Sequence, residues 1–198
     1  MVGSLVQWEN LTMNRLKDLI CYLSGPIDFE EDDGAGWRDT ITPELERRNV
    51  RVLNPLKHCF YGTDEVDTAK RPRMAKLLEE GRFEEHREEM KDINHWDLRS
   101  VDLSSFLVVN YDNSIHMCGT YEEIFIANRQ FKPVLLKLNC PINKISSWMH
   151  GRFPSSQMFE SWDDLLCYLE NVDCNANYEF TESDKKRWLF WDGSHMKG

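Results

Sequence analysis

No apolar run in the chain reaches the roughly 18 residues that a membrane-spanning helix needs, and no basic region followed by a long apolar run opens it. Neither a spanning helix nor a signal peptide is expected, no membrane partner follows, and the default compartment is cytoplasmic. Positive charge is also short: 24 Lys and Arg stand against 34 Asp and Glu, for a net charge of −10. A nucleic-acid polymer needs clustered cations to displace its counterions, so none is expected as a partner. A small anion stays open, because a few helix N-termini can hold a phosphate against an acidic background. The six cysteines (Cys21, Cys59, Cys118, Cys140, Cys167, Cys174) form no CxxC pair, and several fall inside expected strands or helices. That fits free buried thiols better than a disulfide framework. The six histidines show no HExxH and no zinc spacing with the cysteines, so no metal site is expected. Repeats and low-complexity segments are absent too. What remains is a 198-residue chain of ordinary globular composition, long enough for one domain with a substantial core.

The stretch from Val101 to Pro133 organises the rest. Phe106 to Asn110 is a Val-rich apolar run of strand length, with Ser-Ser before it and Asp112-Asn113 close behind. It reads as a buried parallel strand. After Gly119-Thr120, residues Tyr121, Ile124, Phe125 and Asn128 recur at helical spacing, and Val134 to Leu138 reads as the next strand. Strand, loop, helix, strand is the right-handed crossover of an α/β sheet. Further strands are expected at Leu19–Leu23, Val50–Leu53 and Met158-Phe159. Helices are expected at Trp37–Arg48, with Thr42-Pro43 inside it, over the charged stretch Met74–Arg99, and at Ser161–Leu169 with Ser161 as cap. Residues 56–75 read as irregular. The expectation is an α/β, Rossmann-like (flavodoxin-like) parallel sheet of about five strands with helices on both faces. Residues 1–17 read as an arm, 18–171 as the main domain, and 172–198 as a tail. Its aromatics Trp188, Phe190 and Trp191 are expected to dock on the body or a neighbouring subunit.

In open α/β sheets ligands sit beyond the carboxyl ends of the strands. Glu123 falls there, with two readings. Thr120-Tyr-Glu-Glu123 fits a capping box, in which the Glu turns back to its own helix start. Alternatively Glu123 is a carboxylate whose pKa the helix N-terminus lowers, ionised and available as a nucleophile. Asp97 is expected at the end of the charged helix, either as a plain terminal residue or as the acid–base partner that glycosidic cleavage needs. Gly25, in YLSGPIDF, would let backbone approach a ligand closely.

Taken together, these strings resemble the nucleoside 2-deoxyribosyltransferase family and its relatives, the deoxynucleoside 5′-monophosphate N-hydrolases. The carrying segments are YLSGPI at 22–27, Asp97-Leu98, FLVVNYD at 106–112 and GTYEEIFIA at 119–127. The resemblance spans roughly residues 20–170. It implies a nucleophile at Glu123, a base-side acid or orienting carboxylate at Asp97, and no cofactor. Sugar and phosphate contacts fall at Ser24, Gly25 and Ile27, a hydroxyl contact at Asp112, and base-side contacts at Asp28 and Trp37. Gly119 belongs to the motif that opens the nucleophile helix. In ISSWMHG (145–151), Ser146 matches a serine that reaches the 5′-phosphate of a nucleotide held by a neighbouring subunit, which implies a homo-oligomer with a shared site. The implied substrate is a 2′-deoxynucleoside or its monophosphate.

The chain departs from the pattern in two telling places. Phe125 replaces a glycine after the nucleophile. Met117 stands where the transferases tend to carry an acidic residue that reads the acceptor base, which favours hydrolysis over transfer. Two alternatives stay open: a ribonucleotide phosphoribohydrolase, although the PGGxGT string is missing, and a non-catalytic nucleotide-binding protein, suggested chiefly by Phe125.

Overall fold

The computed structural model describes residues 14–27, 32, 34–57 and 70–188. Asp28, Cys59, most of the expected arm and the aromatics Phe190 and Trp191 lie outside the described residues. Five strands build one sheet: β1 (Ile20–Ser24), β2 (Arg51–Leu53), β3 (Phe106–Tyr111), β4 (Val134–Leu138) and β5 (Met158–Phe159). Their order is β2-β1-β3-β4-β5 and every pairing is parallel. This is the doubly wound arrangement, whose switch point lies between β1 and β3.

Side chains alternate across each strand and sort into two apolar layers. Cys21, Leu23, Phe106, Val108 and Leu135 meet Ile41 and Leu45 of α1 (Ala35–Glu46) and Leu165 and Leu169 of α6 (Trp162–Cys174). Tyr22, Leu107, Val109 and Leu136 meet Val101 of α3 (Phe83–Leu103) and Ile124 and Ala127 of α4 (Cys118–Arg129) on the other face. All six residues of β3 are buried, as a central strand covered on both faces must be. The short helices α5 (Ser147–His150) and α7 (Glu182–Lys185) close the far edge.

Several boundaries differ from expectation for identifiable reasons. The charged stretch is two helices, α2 (Lys70–Glu79) and α3, because Gly81 adopts φ +70° and breaks the run. The first of them begins inside the segment expected to be irregular. Asp97 is not at a helix end: α3 continues through the buried Val101 to Leu103. Pro43 lies inside α1, as expected, in its second half. Helix α6 does start at the Ser161 cap, whose hydroxyl accepts from Asp164 N at 3.1 Å, but it runs on to Cys174.

Both ends of the described chain pack on the body. Leu16 is fully buried, and its amide donates to the Asp173 carboxylate at 2.9 Å. Trp188 packs on Phe106 with ring centroids 5.2 Å apart and donates from Nε1 to the Tyr168 hydroxyl at 2.9 Å. Asp184 of α7, fully buried, accepts from Gln157 Nε2 at 2.7 Å and from the Tyr168 hydroxyl at 3.3 Å. No helix among the described residues is long and apolar enough to cross a membrane.

Candidate active site

Tyr22 and Ser24 stand two residues apart on β1 and therefore point to the same side of the sheet, the side covered by α3 and α4. On α4 the side chains turned toward that face are Thr120, Glu123, Ile124 and Ala127, a helical stripe that contains one carboxylate. Glu123 is only 7% exposed. Its Oε1 accepts from the Tyr22 hydroxyl at 2.8 Å, and its Oε2 is bonded by the Ser24 hydroxyl. The capping-box reading fails on this geometry. Helix α4 begins at Cys118, two residues before Thr120, so Glu123 lies beyond the first turn and its carboxylate reaches across to β1.

The expected lowering of the Glu123 pKa is reversed for the same reason, since the dipole's pull fades within the first turn. Burial first, and then the nearby Asp97 charge, push Glu123 up to about 7; the Ser24 and Tyr22 hydroxyls and Arg38 pull the other way. Asp97, half-buried on α3, is pushed up to about 6 by burial. Its charge acts on Glu123, whose carboxyl the Tyr22 and Ser24 hydroxyls hold. The Tyr22 and Ser24 hydroxyls both donate to Glu123 and favour its ionised form, while burial and the Asp97 charge oppose it. Two carboxyls this close titrate as a pair.

Tyr22 and Arg38 were missed in the sequence. Tyr22 lies in the YLSGPI segment, but only the alternation that aligns it with Ser24 marks it as functional. Arg38 is fully buried on α1, the helix of the opposite face, and its guanidinium binds the backbone carbonyls of Gly25 and Gly34 at 2.9 Å each. No sequence signal separates it from the solvated arginines around it.

Among solved structures, the architecture is similar to that of a 2-deoxyribosyltransferase from the psychrotolerant bacterium Bacillus psychrosaccharolyticus, at 17% identity and a TM-score of 0.50. The alignment covers 81% of this chain and 93% of that one. No protein-family profile matches the chain, and neither does any curated protein. The likeness shows the fold.

The remaining expected site residues are spread more widely. Gly25 does need to lack a side chain, but what presses on it is protein: a Cβ there would sit 3.0 Å from Trp37 Cζ2 and 3.2 Å from the Asn110 carbonyl. Ile27 is half-buried at the end of the same turn. Trp37 stacks on Trp162 with centroids 5.5 Å apart and carries the Arg38 guanidinium 4.5 Å over its ring, while its buried Nε1 has no partner. Asp112, just past β3, is engaged locally: Oδ1 accepts from Ser114 N at 2.8 Å and from Ser114 Oγ at 2.6 Å. Gly119 lies exposed in the first turn of α4, with open space where a Cβ would be. Ser146 is exposed and caps α5, accepting from Met149 N at 3.4 Å. Phe125 points away from Glu123 into an aromatic row, stacked on Tyr121 at 6.1 Å and on Phe153 at 6.2 Å. Met117 is buried, and its Sδ accepts from Asp112 N at 3.3 Å. No group of His, Cys, Asp or Glu among the described residues is arranged to hold a metal ion.

Proposed function

We propose that the chain cleaves the N-glycosidic bond of 2′-deoxynucleosides or their 5′-monophosphates through a covalent deoxyribosyl–enzyme intermediate. One observation carries the reading: Glu123 is buried on the sheet-facing side of α4 and held by two hydroxyls of β1, with the Asp97 carboxyl near enough for its charge to act on it. A structural glutamate would answer its own helix; this one is stripped of water and aimed. The similarity to a 2-deoxyribosyltransferase agrees with the nucleoside reading.

A 2-deoxyribose lacks the electron-withdrawing 2′-hydroxyl, so its anomeric carbon tolerates cationic character. An oxygen of Glu123 bonds to C1′ as the C1′–N bond breaks and its electron pair leaves with the base. Asp97 gives its proton to the departing base. It then takes one back from water, whose oxygen replaces Glu123 at C1′ and frees the carboxylate. Ser24 and Tyr22 hold Glu123 in one rotamer and stabilise its charge before attack and after release. Met117, buried where the resemblance expects an acidic reader of the acceptor base, favours water as acceptor and therefore hydrolysis. Phe125 no longer argues for a non-catalytic protein, because it fills space between Tyr121 and Phe153. We extend the functional unit to at least Leu16 and Trp188, and keep the contribution of Ser146 to a neighbouring subunit's phosphate site within the proposal.

The test is incubation with each deoxynucleoside and deoxynucleoside monophosphate, followed by chromatography of the free base and intact mass after acid quench. Expected are free base and a sugar-sized mass increase on the peptide containing Glu123, both lost in Glu123→Ala. Equal rates for Glu123→Ala and the parent chain, or no base from any substrate, would overturn it. A new nucleoside formed on adding a second base would reassign the reaction to transfer.

A further inference from the structure

We infer that Asn110 is a base-reading residue of the same site: its side-chain amide takes the outer edge of the nucleobase and, with Lys137 beside it, selects bases that carry a carbonyl oxygen there. The inference rests on the reading of Glu123 as the group that attacks C1′.

Asn110 is out of place in its strand. The other residues of FLVVNY are apolar or aromatic, and asparagine is depleted in strands. It is nevertheless only 7% exposed, and its side-chain amide has no hydrogen-bond partner among the described residues. A buried amide left unpaired is costly, and a valine would fill the same place without that cost. The amide is therefore kept for something other than the fold.

Its place indicates what. Ser24 pairs in register with Val109, so Asn110 lies one residue further on, at the switch point between β1 and β3. A Cβ on Gly25 would stand 3.3 Å from the Asn110 Cβ. The alternation that turns Phe106 and Val108 toward α1 and α6 turns Asn110 the same way, whereas Ser24 bonds Glu123 on the α4 side. The two residues thus flank the same strand ends from opposite layers. Displacement at a sugar carbon brings the nucleophile in opposite the leaving group, so the base departs on the side of C1′ away from Glu123. Asp97 serves the breaking bond; Asn110 serves the outer edge of the base.

Lys137 sets the kind of edge. It is the register partner of Asn110 on β4 and shares its face. Its ammonium donates to Asn139 Oδ1 just past the strand and lies 5.7 Å over the Trp162 ring, which stacks on Trp37. The Asp112 carboxylate near that corner already accepts from Ser114 and, at 3.4 Å, from Asn139 Nδ2. An amide can turn to suit a donor or an acceptor, but an ammonium only donates. A base carbonyl meets Lys137 well, and the N–H next to it meets Asn110 Oδ1. An exocyclic amino group would set donor against donor.

The experiment is calorimetric binding to the full chain carrying Glu123→Gln, so that no turnover intervenes. The probes are deoxyinosine against deoxyadenosine and deoxyuridine against deoxycytidine, pairs that differ only in that edge, each with and without a 5′-phosphate. Purine 2′-deoxyriboside, which lacks the 6-substituent, is the reference. The oxo member of each pair is expected to bind about tenfold or more tightly, as base-edge readout discriminates. Equal or reversed affinities overturn the inference, even if no Asn110 variant folds. Asn110→Ala in the same background is expected to weaken deoxyinosine by about 10- to 100-fold and to leave purine 2′-deoxyriboside nearly unchanged. A merely structural role would weaken both alike, and that result, or no loss at all, overturns the inference. Lys137→Met is expected to close the gap between oxo and amino partners, and a gap left open overturns the selection. Base release without these preferences leaves the proposed reaction standing and removes Asn110 from it; oxo-selective binding without base release does the converse.

Discussion

Replacing Glu123 with glutamine should make the protein more stable at pH 8 while removing its activity. The carboxyl is 7% exposed and is pushed from 4.5 to about 7 by burial and by Asp97. At about 1.4 kcal/mol per pH unit, ionising it inside the fold costs about 3 kcal/mol relative to the unfolded chain. The sign follows from proton counting. Between pH 4.5 and about 7 the native state holds more protons at this site than the unfolded state, so stability is full below 4.5 and declines as pH rises through that window. Glutamine keeps an oxygen for the Tyr22 hydroxyl and an amide facing Ser24, but carries no charge to desolvate. It also relieves Asp97 of its anionic neighbour. The expected gain is about 2 to 3 kcal/mol at pH 8 and near zero at pH 4. Urea unfolding at both pH values, read by tryptophan fluorescence and fitted with a common slope, measures it. A variant less stable than the parent at pH 8, or a difference equal at both pH values, would refute the reasoning.

Gly25→Ala should cost about 1 to 3 kcal/mol by overpacking against Trp37 and the Asn110 carbonyl, and should lower activity by displacing the adjacent Ser24. Denaturation and base-release assays check the two halves, and a fully active, equally stable variant would show that the turn is looser than it looks. Trp188→Ala should cost about 3 to 5 kcal/mol, because it empties a site against Phe106 and leaves the Tyr168 hydroxyl without a donor. A cost below about 1 kcal/mol would show that the tail is not part of the cooperative core. Phe125→Ala should destabilise by about 2 kcal/mol or more through the aromatic row, and leave the Glu123 titration unmoved. A shifted titration would place Phe125 in the site after all.

Much of the sheet was legible because its signals are local. Phe106–Tyr111 and Val134–Leu138 are short apolar runs bounded by turn residues, and such runs at the centre of a parallel sheet have no other stable use. Helix ends were read less well. The break at Gly81 depends on one glycine taking a positive φ, and the extension past Asp97 depends on Val101 finding a place in the core. At Glu123 the residue was identified and its electrostatics were reversed. The helix-start argument used a local spacing, whereas the pKa is set by how much protein closes over the carboxyl and which charges share the enclosure.

By itself the sequence determined that the chain folds as alternating strands and helices, that the strands lie parallel, and that a carboxylate falls at the carboxyl end of the central crossover. Periodicity and turn chemistry act over a few residues and suffice for that. Only the tertiary structure decided that Tyr22 and Ser24 clasp Glu123, that the Asp97 charge acts on it, and that Arg38 of the opposite layer binds the Gly25 carbonyl beside Ser24. Those residues come from four elements separated by up to 101 positions. The forces that join them, burial and the fields of neighbouring charges, depend on distance through space and leave no mark on spacing along the chain.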